Sequence, residues 1–402
     1  MNIYEYQAKK IFKNFGIAVP HGLVAYTPKE AQDVALKISP SGPWMVKAQI
    51  QAGSRDIGRF SDKRAGKKGG IRLSKTPEDV YKNSDEMLEN MLITSQTSKK
   101  GRLVSRVYIE EFIKITQKYY LGFIIDRISA SVMLLLTPIL NRTNADIIAL
   151  SQKFPENILK MNIGLQKELS SDQFSDVIKF MNLKNHSAKL KNFLNKALKV
   201  FYYYDATMLE INPFGCDVNG DIWALDAKIT FDNNALYRHQ DILNLTNDTG
   251  IDERELIASK YGFIYKELDH GIGLISNGNG LAFNTINEAQ KQGLATACFL
   301  NLKGGVDRDK ITAGIKLIML NPKVDGIFIN ILGGFTRCNL IADGIISVAN
   351  DLGLNIPLVA RFEGTNKEEA LSILQSSGLS IQTADDTITG LTLLREMVTE
   401  DL

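Results

Sequence analysis

Residues 271–278 read GIGLISNG, and four later stretches repeat the plan: TACFLNLKGG (296–305), GIFINILGG (326–334), PLVARFEG (357–364) and LSIQTAD (379–385). Each is a short apolar run, and each is followed by a stretch with the amphipathic period of a helix. Strands alternating with helices roughly every 30 residues predict a right-handed parallel sheet covered on both faces, a doubly wound, flavodoxin-like α/β domain. Four of the runs end at glycine: Gly278 and Gly280, Gly304 and Gly305, Gly333 and Gly334, and Gly364. Ligands of such sheets bind at the carboxyl ends of the strands, where glycine lets backbone amides approach phosphate or carboxylate. An anion site is expected there.

Upstream of that series the rhythm differs. The polar segment LTNDTGIDERE (245–255) is the expected boundary, giving domains at 1–246 and 256–402. Tyr4, Ala8, Ile11, Phe12 and Phe15 recur at helical spacing, and Gly16 stops that helix. Thr27-Pro28-Lys29-Glu30 and Thr76-Pro77-Glu78 read as capped helix starts. PWMVKAQI (43–50) is a buried strand leading into a Gly-rich basic loop, residues 52–70. VYIEEFI, KYYLGFIIDRI and SVMLLLTPIL, between 107 and 140, are strand-like, residues 171–205 are helical, and 208–229 form a hairpin-like pair around Asn219-Gly220.

Composition narrows the function. Of 402 residues, 47 are Lys or Arg and 45 are Asp or Glu, a net charge of +2, which argues against a general polyanion binder. The three cysteines (Cys216, Cys298, Cys338) form no CxxC pair, and the four histidines have no metal-ligand spacing, so zinc sites and a disulfide framework are not expected. No apolar run spans a bilayer, and the amino terminus lacks the apolar region of a secretory signal. A reducing, cytoplasmic compartment fits these features.

Two stretches carry chemistry. Lys47 ends a strand and precedes Gly53-Ser54-Arg55, which reads either as a cradle for nucleotide phosphates or as a solvated basic loop; it is not a GxxxxGK[ST] loop. In MLEINPFGCDVNGDIWALDAK (208–228), Glu210 and Asn212 lie two apart on a strand, hence on one face. A three-residue loop, Val218–Gly220, places Asp226 opposite Asn212 on that face, whereas a two-residue Asn219-Gly220 turn places it opposite Pro213 on the other. In the three-residue register, one amide and two carboxylates converge. Hard oxygen donors suit Mg²⁺ held against phosphate, and the alternative is a polar strand face paired with lysines such as Lys228.

Several further stretches, spread nearly end to end, decide the family. NIYEYQAKKIF (2–12), GPWMVKAQIQAG (42–53), MLEINPFGCDVNGDIWALDAKITFDNNALYRH (208–239), GIGLISNGNGLA (271–282), FINILGGFTRCNLIADGII (328–346) and ARFEGTN (360–366) resemble the β subunit of succinate–CoA ligase, an ATP-grasp family. The resemblance implies an amino-terminal ATP-grasp domain that binds ATP or GTP between two subdomains. Lys47, Gly53, Ser54, Arg55 and Glu110 match nucleotide positions, and Asn212 and Asp226 match Mg²⁺ ligands. Glu210 matches a catalytic glutamate that meets a phosphohistidine. Asn277, Gly334, Phe335 and Thr336 match the segment that holds succinate or its phosphate. The phosphohistidine and the CoA site belong to the family's α subunit, so a heterodimer or heterotetramer is implied, with succinate and CoA as substrates and neither nucleic acid nor membrane as partner.

The chain departs from the family pattern near the nucleotide. AGSRDIGRFSDKRAGKKGG (52–70) carries an insertion of eight to ten residues that brings Arg59, Lys63, Arg64, Lys67 and Lys68. Lys118 stands where the pattern has glutamate, Ile113 where it has threonine, and Lys303 enters LNLKGGV. LTPILNRTNADIIA (136–149) replaces a segment with two glycines and two acids. These changes leave two other readings open: a catalytically weakened subunit kept for assembly, and a malate–CoA ligase β subunit, for which Phe335 is the discriminating residue.

Overall fold

In the computed structural model, residues 1–139, 155–183, 186–245 and 253–400 are described. Residues 140–149 of the rebuilt segment and most of the polar boundary lie outside them. The chain divides into two units, Met1–Gly250 and Ile251–Leu402.

The first unit contains two larger sheets. One has four strands in the order Gly22–Ala25, Val107–Glu111, Trp44–Ala48, Ile71–Ser74, all antiparallel. Alternation sorts its faces: Trp44, Val46, Val107 and Ile109 are buried with helices Pro28–Ile38 and Pro77–Met87, while Lys47, Tyr108 and Glu110 share the opposite face. Both helices start with Pro after a capping Thr. At Thr76 the capping box is reciprocal with Asp79, whereas the Glu30 carboxylate passes Thr27 and accepts from the Tyr26 N–H at 2.8 Å.

The second sheet runs Leu159–Gly164, Ser131–Pro138, Ile115–Asp126, Ala206–Asp217, with Ile222–Ala224 and Lys228–Phe231 both returning along the last strand. Its apolar face packs on helices Glu5–Asn14 and Ser187–Tyr203 through Phe12, Phe123, Phe193, Leu209 and Phe214. Phe214 pairs with Ala224 and Glu210 with Lys228, so by count Asp226 is the counterpart of Asn212 across an unpaired stretch, and the loop is Val218–Gly220. The ladder breaks at Pro213, which has no N–H to give; its carbonyl accepts from Leu225 and Asp226 instead.

The basic insertion begins and ends at a single atom. The Arg55 carbonyl accepts from Gly58 and Gly70, at 3.3 and 2.7 Å, so the excursion closes on the residue where it began. Gly69 is required there, because a Cβ would collide with the Asp56 carbonyl. Phe60 and Ala65 anchor the loop in the core, and Arg59, Lys63, Lys67 and Lys68 remain exposed.

The second unit has one sheet, ordered Ile264–Glu267, Thr296–Asn301, Gly271–Ser276, Val324–Gly333, Leu358–Gly364, Ile381–Ala384. The five strands expected from sequence are mutually parallel in a 2-1-3-4-5 order, the flavodoxin-like arrangement. The sixth, Ile264–Glu267, joins one edge antiparallel. Only Tyr265 of its four residues is buried, so it gives little apolar signal. The direction of winding reverses between Gly271–Ser276 and Val324–Gly333, which fixes where a ligand crevice opens.

Candidate active site

The polar face of the four-stranded sheet and the first helix bring six charged side chains together. Lys47 Nζ lies 2.9 Å from Glu5 and 2.6 Å from Glu110, and donates to the Leu225 carbonyl at 2.6 Å. Lys9 pairs with Glu5 at 2.9 Å and with Glu110, and donates to the same carbonyl at 2.7 Å. Arg55 reaches Glu5 at 2.7 Å and both oxygens of Asp226 at 2.9 Å, and its other amine donates to the Ala48 carbonyl. Three cations and three carboxylates balance, and all but Asp226 are almost fully buried.

That balance sets the protonation states. Burial alone would raise the Glu5 carboxyl, but Lys47, Lys9 and Arg55 hold it well below the usual carboxylate range. Burial likewise opposes the charge on Lys9, and Glu110, Glu5 and Asp226 overcome it, raising Lys9 above an ordinary lysine. The Tyr108 phenol is pushed up by burial and by Glu110 and Glu5, so it stays neutral. Glu5 is thereby kept a carboxylate and Lys9 an ammonium over the neutral pH range.

Two cavities adjoin this cluster. The first, about 890 Å³, is lined by Lys47, Glu110, Ile113, Lys118, Asn212 and Asp226, among others. The second, about 570 Å³, is lined by Gly53, Ser54, Arg55, Glu210, Asn212 and Asp226, among others. The residues read from sequence as one nucleotide set are thus divided: Lys47 and Glu110 face the larger space, the Gly53–Arg55 turn and Glu210 the smaller, and Asn212 and Asp226 line both. Lys118 is an exposed lining residue of the larger cavity and does not close it: Glu110 is held by Lys9 and Lys47, and Glu111 accepts from the His21 N–H.

Among the described residues no group of three or more His, Cys, Asp or Glu is arranged to hold a metal ion. Asn212 Oδ1 is nevertheless buried without a hydrogen-bond partner, and Asn212 lines the same two cavities as Asp226. An orphaned amide oxygen in a cavity lining shared with a carboxylate fits Mg²⁺, which takes one or two protein oxygens and completes its shell with phosphate and water. The residues present fit that ion.

In the second unit, Asn277 follows the Gly271–Ser276 strand and clamps the neighbouring one. Its amide donates to the Leu332 carbonyl at 2.6 Å and its oxygen accepts from the Leu332 N–H at 3.0 Å. Asn277 is therefore committed to the backbone just before Gly333-Gly334, at the winding reversal. In the turn that follows, Thr336 is buried and Phe335 is fully exposed. Gly334 has open space around it, and the Gly333 carbonyl accepts from the Thr365 N–H.

Comparison with known proteins places this geometry. An ATP-grasp domain model matches residues 2–216 and a CoA-ligase model matches residues 275–391. The β subunit of an ADP-forming succinate–CoA ligase from Chelativorans sp. is 39% identical over 387 residues, covering 96% of each chain. The corresponding subunits of Rhizorhabdus wittichii and Brucella ovis are each 40% identical over 96% of both chains. The chain belongs to the succinate–CoA ligase β-subunit family. Its fold also resembles an ATP citrate lyase of Methanothrix soehngenii, with a TM-score of 0.71, 15% identity and 99% of both chains covered. Membership of the succinate–CoA ligase family agrees with the two-part architecture of an ATP-grasp unit followed by a doubly wound one. No helix among the described residues is long and apolar enough to cross a membrane.

Sequence reasoning missed Glu5 and Lys9. Both lie in the stripe Glu5, Ala8, Lys9, Phe12, spaced i, i+3, i+4, i+7, so they share the side that buries Ala8 and Phe12. Two opposite charges within an apolar stripe were the available signal.

Proposed function

We propose that this chain is the nucleotide-handling β subunit of a succinate–CoA ligase, an acid–thiol ligase that works with an α subunit in a heterodimer or heterotetramer. ATP or GTP occupies the larger cavity, with Lys47 turned from its buried carboxylates toward the phosphates and Glu110 at the nucleotide. Asn212 and Asp226 would hold Mg²⁺, which would supply neutralisation of phosphate charge there. The Gly53-Ser54-Arg55 turn directs backbone and guanidinium donors at phosphate oxygens. Glu210, in the smaller cavity, meets the phosphohistidine presented by the α subunit and orients its imidazole. Asn277 acts as a positioning residue, bracing the Gly334-Phe335-Thr336 turn whose backbone holds succinate or its phosphate. CoA is bound by the partner. Three buried, unpaired cysteines suit a reducing cytoplasmic compartment.

The observation that carries this reading is the juxtaposition of buried Lys47 and Arg55 with the orphaned Asn212 oxygen and the Asp226 carboxylate, beside a cavity of nucleotide size. The test is succinyl-CoA formation from succinate, CoA and ATP or GTP by this chain co-expressed with an α subunit. Activity that requires both chains is the expected result. Robust synthesis by this chain alone, or none by the pair, overturns the reading.

A further inference from the structure

The Arg55–Asp226 pair has a geometry that a permanent structural ion pair does not need. Arg55 is held at three places: its Nη1 donates to the Ala48 carbonyl at 2.9 Å, its Nη2 reaches Glu5 at 2.7 Å, and the same nitrogen lies 2.9 Å from both Asp226 oxygens. The first two anchors are nearly fully buried, while the Asp226 side chain is 25% exposed. Breaking the Asp226 contact would leave the guanidinium paired with Glu5 and Ala48. Breaking either of the others would strand a buried charge or carbonyl. Among the described residues, Asp226 and Asn212 are the only polar ones common to the linings of both cavities, and Arg55 stands on the smaller one. The guanidinium thus sits on the carboxylate that separates the two spaces.

We propose that Arg55 is a built-in surrogate for the divalent cation. It holds Asp226 neutralised when no metal is bound, and releases it to a metal at Asn212 and Asp226 while remaining tethered to Glu5 and Ala48. Guanidinium and metal compete for the same two oxygens, so Arg55 lowers the affinity of the bare protein for the metal. Once released, its Nη2 is free of Asp226 at the boundary between the cavities, where a phosphoryl group needs a donor. The Asn212 oxygen takes no part in the Arg55 pair and lacks a partner until the metal arrives, which explains why an amide rather than a second carboxylate stands opposite Asp226. A second carboxylate there would bind the guanidinium more tightly and oppose release. This inference rests on the reading of Asn212 and Asp226 as metal-facing residues.

Binding of Mn²⁺, followed by the loss of its free-ion electron paramagnetic resonance signal, separates the two ideas. The proteins are wild type, Arg55→Met, Arg55→Lys and Asp226→Asn, each checked for folding by circular dichroism and each titrated with and without ADP. Removal of this charge-assisted competitor predicts roughly tenfold tighter Mn²⁺ binding without nucleotide in Arg55→Met. Arg55→Lys, which keeps the charge but has no second amine for the Ala48 carbonyl, should fall between it and wild type. Asp226→Asn should weaken Mn²⁺ binding with or without ADP. If Asp226→Asn weakens binding but Arg55→Met and Arg55→Lys leave it equal to wild type or weaken it, the metal reading stands and the surrogate role is wrong. If Asp226→Asn changes nothing, or wild type binds no Mn²⁺ even with ADP, both fall. Undetectable Mn²⁺ binding to both wild type and Arg55→Met without ADP also overturns the surrogate role.

Discussion

Glu5 organises the cluster, since Lys9, Lys47 and Arg55 all pair with it. Replacing Glu5 by Gln leaves these cations under-neutralised in a buried place, and about 3 kcal/mol of stability should be lost, read as a lower denaturant midpoint. The pH dependence follows from the same contacts. The native Glu5 carboxyl is depressed, so its contribution is full above the unfolded value of about 4.3 and disappears as pH falls through the native value. Native Lys9 is raised, so its contribution is full below about 10.4 and disappears as pH rises through the native value. Wild-type stability should therefore hold level from about pH 5 to 9 in these two respects, with an acid limb that is shallower in the Glu5→Gln variant. An acid limb of unchanged slope would show that Glu5 is not the group titrating. Only part of this was visible in the sequence. Glu5 and Lys9 share a stripe with Ala8 and Phe12, but only the packing of that helix against the Lys47–Glu110 face supplies their partners.

The hairpin, by contrast, was legible in part. Two registers were open, and alternation with the count of loop residues stated the consequence of each; the pairs Phe214–Ala224 and Glu210–Lys228 select the three-residue loop. Gly220 closes that loop with φ +75°, a conformation that costs an L-residue roughly 1 kcal/mol, and a Cβ there would also strike His186. Gly220→Ala should lower the thermal midpoint by a few degrees yet leave Mn²⁺ affinity unchanged, because the flanking ladders hold Asn212 opposite Asp226. A large loss of Mn²⁺ affinity would mean that the loop itself sets the register. In the second unit, Asn277→Ala removes both hydrogen bonds to Leu332. Amide hydrogen exchange at Leu332–Gly334 should accelerate by about tenfold, as expected for one lost bracket worth about 1.4 kcal/mol. The glycine-ended strands announced an anion crevice, but the clamp could not be read, since it depends on which strands become neighbours at the winding reversal.

Across the whole chain, the parallel series was most legible where a strand is buried throughout and hence continuously apolar, as in Gly271–Ser276 and Thr296–Asn301. The edge strand Ile264–Glu267 escaped because one buried tyrosine leaves no period to detect. The division of the nucleotide set between two cavities was likewise hidden. It arises because Lys47 sits on a strand whereas Gly53–Arg55 turn away from it, and sequence distance does not encode that turn. The cysteines make a simple check: Cys216, Cys298 and Cys338 are buried, and burial pushes the Cys298 thiol up to about 11, so none should react with a thiol reagent until the chain unfolds. Rapid labelling of one thiol in the native chain would show that its element opens readily.

On the proposed function, a nucleotide phosphate in the larger cavity passes, by way of Lys47 and the Asn212–Asp226 pair, to a histidine of the partner subunit. The most direct measurement is transfer of labelled γ-phosphate from ATP or GTP to each chain of the co-expressed complex. The account predicts label on the α subunit alone, stable to base and labile to acid, and reduced at least 100-fold in complexes carrying Lys47→Met or Asp226→Asn. Label on one of this chain's own four histidines, or transfer that survives both substitutions, would contradict it.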